Sequence, residues 1–171
     1  MPSLAELDPE KFSPARIWAA ISPDVRLQAA RAVYASEDPQ HRTEADLAIA
    51  MNLKFRPVAV RKLPVEKRAG YIARAFPPGE SLASTLLLCL HSRDRVGLMA
   101  AFLDSLGIPH NDGMIDEDHD LQPPEAEPLT AAVNEILEKF DREEVELYLA
   151  TLLAMDPGTW GGLKEPFRKL R

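Results

Sequence analysis

The stretch Leu106–Pro128, LGIPHNDGMIDEDHDLQPPEAEP, sets His110 and His119 among Asp112, Asp116, Glu117, Asp118 and Asp120. Imidazole and carboxylate together suit zinc, manganese, iron or nickel. His110, Asp112, Asp116 and His119 are therefore a candidate ligand set for a divalent metal. Their spacing follows no strong metal pattern. There is no H-E-x-x-H, and a calcium loop with Gly113 as its central glycine would put Ile108 and His119 where carboxylates are needed. The same residues also have a plain structural reading. Asn111-Asp112-Gly113 is turn chemistry, because these residue types tolerate positive φ. Ile108, Met114 and Ile115 would pin a tiny hairpin to the core, and Asp116–Asp120 would be a solvated run. The segment 108–127 has no helical period. Unstructured connections longer than about 12–15 residues are uncommon in compact domains and tend to be functional or disordered.

A second chemistry lies in the middle of the chain. Residues 1–53 hold 8 acids and 5 bases, residues 54–100 hold 3 acids and 9 bases, and residues 101–171 hold 16 acids and 6 bases, for a net charge of −7. Arg61, Lys62, Lys67, Arg68, Tyr71 and Arg74 form the candidate anion- or partner-binding group. On a helix over 65–76, Val65, Ala69, Ile72 and Phe76 make an apolar stripe. Lys67, Tyr71 and Arg74 then fall on the opposite face, with Arg68 at its edge. Cations that neutralise phosphates beside an aromatic plane are the means by which proteins hold nucleic acid. The overall negative charge disfavours that partner, and an exposed solubilising face explains the same residues.

Other reactive types carry less. Cys89, the one cysteine, lies inside LLLCL, where cysteine behaves as a small buried hydrophobe, and no internal disulfide is open to it. His91 follows that run near a helix end, and His41 sits in Asp38-Pro39-Gln40-His41-Arg42, a loop or helix start. No G-x-S-x-G elbow and no glycine-rich phosphate loop is present. Trp18 and Trp160 read as anchors for the chain ends.

The elements that would position these groups are helices. Ser13-Pro14 and Ser22-Pro23 open helices to about Ile21 and Ala35, since proline in the first turn lacks only an N–H that would have no partner. Thr43 is expected to cap a helix from Glu44 to about Phe55. Pro64 starts one to Phe76, Ser81 or Glu80 one to His91, and Ser92 caps one to Leu106 with Gly107 as its left-handed stop. Pro128 opens a helix to Phe140, and the Asp141/Glu144 capping box opens another to about Met155. A last turn or two spans Leu163–Arg171. Leu82–Leu90 and Val145–Met155 are apolar almost all round and should occupy the centre of the core.

Together these signals predict an all-α chain: a single domain over 1–171, an irregular antiparallel bundle of about seven or eight helices with the acidic loop at 108–127. Stacked helical hairpins are the alternative, suggested by an echo among VRLQAA (25–30), VGLMAA (96–101) and VELYLA (145–150). No run approaches the roughly 20 apolar residues of a membrane span. The opening MPSLAELDPEKF lacks the basic and apolar regions of a signal peptide, so a cytoplasmic protein is expected. With no recognisable catalytic constellation, the favoured function is a non-catalytic interaction or structural protein that binds a protein partner or itself. A metal-dependent enzyme using the 108–120 loop is the first alternative, and nucleic-acid or anionic-ligand binding through 54–74 the second. No cofactor beyond that divalent metal is implied. The interaction reading requires an exposed apolar patch, for which the sequence names no residue.

Overall fold

The computed structural model describes residues 3–171. Among them the only β-structure is one isolated bridge, Asn111 to Met114, and the all-α expectation holds. Among the described residues no helix is long and apolar enough to cross a membrane. The helices gather into two compact units, one of Pro14–Asp94, the other of the residues up to Ser13 together with Arg95–Arg171.

The Pro14–Asp94 unit contains α1 (Pro14–Ala20), α2 (Pro23–Ala35), α3 (Pro39–Leu53), α4 (Pro57–Arg61), α5 (Val65–Arg74) and α6 (Glu80–Asp94). Proline starts four of the six, and side-chain oxygens satisfy the backbone behind it. Ser22 accepts from the Val25 N–H, and Asp38 from the Gln40 N–H. The Glu80 carboxylate accepts the Ala15 N–H at 3.0 Å, placing negative charge at the positive end of α1. α2 packs against α5 and α6, and α1 packs against α6. Ile17, Val33, Ile49, Ile72, Leu86, Leu87 and Leu90 fill the core and are inaccessible to solvent.

The second unit brings the two ends of the chain together. Its helices are α7 (Val96–Ser105), α8 (Ala126–Lys139), α9 (Arg142–Met155), α10 (Pro157–Trp160) and α11 (Lys164–Arg168), with short 3-10 turns at Leu4–Glu6, Pro9–Lys11 and Gly161–Leu163. Phe102 sits at its centre, its ring edge-on to Tyr148 at 5.5 Å and tilted against Trp160 at 5.7 Å. Phe12 meets Phe167 edge-to-face at 5.0 Å, and Glu10 pairs with Lys164 and Arg168, tying the first residues to the last helix. Every residue from Val145 to Thr151 is buried, so α9 is central here as α6 is in the other unit.

Several helix limits differ from expectation. α3 begins at Pro39, capped by Asp38 rather than Thr43, so His41 lies in its first turn. α6 runs on to Asp94, past Ser92, and α7 starts only at Val96. α8 starts at Ala126, two residues before Pro128. α7 does end at Gly107 (φ 66): the Gly107 N–H reaches Asp104 O and the Ile108 N–H reaches Leu103 O, the paired bonds of a Schellman stop. The V-x-L echoes do begin α2, α7 and α9, but their neighbours do not repeat. α2 lies on α5 and α6, α7 on α8, and α9 beside α10 and α11.

Candidate partner-docking face

α3 is apolar on two sides. Ala45, Ile49 and Ala50 face the core, while Leu47 and Met51, one turn apart, face solvent and are 44% and 73% exposed. Lys54 ends the helix in the left-handed region (φ 59), its N–H on Ala50 O, and turns the chain sharply into α4. Phe55 and Val58 follow, 39% and 61% exposed. Apolar side chains thus run outward along α3, its turn and α4. Lys54, Arg56, Arg61 and Lys62 are exposed beside them in sequence. No ion pair among the described residues engages these four cations, nor Lys67 and Arg74. Glu66, the one acid of residues 54–74, is spoken for: Arg31 grips it through two nitrogens, the shortest bond 2.8 Å, and holds its carboxyl below the usual range.

Two of the six sequence-nominated residues turn out differently. Arg68 faces inward. Its guanidinium bonds both Asp46 oxygens at 3.2 and 3.1 Å and lies 4.9 Å over the Tyr34 ring. Asp46, 8% exposed, also accepts the Tyr34 hydroxyl at 2.8 Å. Burial and that bond to the carboxylate push the Tyr34 hydroxyl pKa far up. Arg68 therefore belongs to a network joining α2, α3 and α5. Tyr71 rests half-buried against Phe55, ring centres 5.8 Å apart, so it is no free stacking platform. Arg61, Lys62, Lys67 and Arg74 are exposed as expected.

The proposed metal ligands do not converge. No group of three or more His, Cys, Asp or Glu among the described residues is arranged to hold a metal ion. His110 has both ring nitrogens committed. Nδ1 accepts the Gly113 N–H at 2.9 Å, which leaves Nε2 to donate to Asp104 at 2.8 Å. It is the brace of a hairpin. Asp112 (φ 49) and Gly113 (φ 82) form a two-residue turn closed by reciprocal bonds between Asn111 and Met114 at 2.8 and 3.0 Å. Gly113 is required twice over, since a Cβ there would stand 2.5 Å from Met99 Cβ of α7. Ile108 is buried as expected, but Met114 points outward, 43% exposed. Asp116, Glu117, Asp118, His119 and Asp120 are exposed, and none takes part in an ion pair among the described residues.

One constellation has no sequence signature. Cys89 Sγ of α6 lies 3.4 Å from His41 Nδ1, which is 2.8 Å from Ser36 Oγ, and Asp38 is 3.6 Å from His41 Nε2. Nucleophile, base and acid are in order, but the thiol is unfit for attack. Burial pushes it up to about 11, against the easing hydrogen bond of Ser36, and the Asp38 and Glu44 charges raise it further. These groups join the start of α3 to α6, as do the bonds from Ser81 and Thr85 to Glu44. Only a correct start for α3 would have put His41 on a helix facing Cys89.

Comparison of the chain with protein-family models, curated proteins and solved structures gives no match. The functional reading therefore rests on these residues alone.

Proposed function

We propose that the protein is a non-catalytic interaction module that holds a protein partner on the α3–α4 face. One observation carries the reading: Leu47 and Met51 remain exposed on α3, whose opposite side is packed into the core, and Phe55 and Val58 remain exposed just beyond its end. Scattered surface leucines mean little, but a run of large apolar side chains along one edge marks a surface that another molecule covers. The cations beside it suit a polar rim around an apolar centre, the usual anatomy of a protein interface. The catalytic alternatives have no comparable support, since His110 is used structurally, the other candidate ligands do not converge with it, and the Cys89 thiol is held protonated.

The test replaces Val58 with a benzophenone amino acid and irradiates living cells that express the chain. A discrete crosslinked adduct is expected, and Met51→Glu in the same protein should abolish it, since a buried carboxylate cannot be accommodated in an apolar contact. If no adduct forms, or if Met51→Glu leaves it unchanged, the face is ordinary surface.

A further inference from the structure

The chain carries a second exposed surface that complements the first. Met114 stands on the hairpin with Asp112, Asp116, Glu117, Asp118 and Asp120 around it in sequence, an apolar residue within unpaired acids. On α3–α4 the signs are reversed, with apolar residues among Lys54, Arg56, Arg61 and Lys62. We propose that the occupant of the α3–α4 face is a second copy of this chain, presenting its 108–120 segment, so that copies associate head to tail. The inference rests on the docking reading above and names its partner.

Two features support this occupant. The unit that bears the hairpin holds 19 acids and 8 bases, or −11, and the unit that bears α3–α4 holds 8 acids and 12 bases, or +4. Opposed surfaces of this kind attract on approach and reject like-charged alternatives. The hairpin is already fixed before it meets anything. Its turn is closed by two backbone bonds, His110 braces Gly113, and Gly113 seats against Met99. With the hairpin backbone fixed, docking costs Met114 side-chain freedom alone. Because the two surfaces differ, the contact is heterologous, and the pair retains one free surface of each kind, one on each copy.

Sedimentation velocity of the full chain over a range of concentrations, at low and high salt, tests the proposal. The wild type should gain mass with concentration, most strongly at low salt. Met51→Glu spoils one surface, and the double variant Asp116→Lys, Asp118→Lys spoils the other. All three changed side chains are exposed, and circular dichroism confirms that each variant folds. Each variant alone should remain monomeric. An equimolar mixture should form a one-to-one dimer and nothing larger, because one intact surface of each kind survives.

A wild type that stays monomeric throughout, or association that both variants leave intact, overturns the proposal. A monomeric wild type that co-sediments with phosphatidylserine–phosphatidylcholine vesicles, and loses this in Met51→Glu, overturns it in favour of an anionic lipid surface. The position-58 crosslink separates the two levels of failure. An adduct with a different protein beside a monomeric wild type sinks the second-copy inference alone, whereas no adduct and no association sink the docking reading as well.

Discussion

Burial decides the chemistry of Cys89. An unfolded thiol titrates near 9.0 and the native one is pushed up to about 11. Between those values the folded state keeps a proton that the unfolded state releases. The stability this contributes is complete below about 9.0 and is lost as pH climbs to about 11. Urea unfolding of wild type and Cys89→Ala across that interval should show the steeper loss in the wild type. Tyr34 and Tyr148 are also raised but are common to both proteins and cancel in the comparison. Equal slopes would mean that the thiol is solvated and free to react. LLLCL was enough to read this cysteine as buried, because its neighbours are apolar on every side. That His41 would stand 3.4 Å away was not legible, because the partner is 48 residues distant and lies on a helix whose start was mistaken.

A side chain and a proline acting together make some helix starts legible, as at Ser22-Pro23. The same device in Asp38-Pro39 was passed over because polar Gln40, His41 and Arg42 follow it, and a solvated first turn resembles a loop. The docking face was hidden for a different reason. Leu47 and Met51 have the same types and spacing as core residues, and only the packed structure reveals which side of α3 is left uncovered. Between elements, Asp46 is the common fastener, bonding Tyr34 of α2 and Arg68 of α5 from its place on α3. Asp46→Ala strands a largely buried guanidinium and an inward-facing hydroxyl. Removing one partner of a buried pair costs about 3 kcal/mol, and denaturant unfolding should register a loss of that size. A loss near zero would show that water replaces the carboxylate.

At the level of the whole chain, Pro14–Asp94 is inserted into a unit built from both ends. The basic middle, residues 54–100, is visible in the sequence and ends close to the Asp94 boundary, but it begins well inside the inserted unit, far from Pro14. The boundary itself was not visible, since no linker composition marks Ser13-Pro14 or Asp94-Arg95. Half-buried Phe12, edge-on to Phe167, helps close the discontinuous unit. Phe12→Ala should cost about 1–2 kcal/mol, less than a fully buried phenylalanine. Hydrogen exchange should quicken in Lys164–Arg168, far along the chain, and not in α1, which follows Phe12 directly. Quickening in α1 alone would contradict the closure.

The pairing of Glu10 with Lys164 also sets a timetable. The two residues are separated by 154 positions. A ribosome adding about 5–20 residues per second therefore needs roughly 10–30 s to deliver the second after the first. Throughout that interval Phe12 lacks its ring partner Phe167, while α1 to α6 emerge with their mutual partners and can assemble in order. During synthesis this segment is made before α1 to α6 and finds its place after them. Until then its apolar side chains stay open to a nascent-chain chaperone.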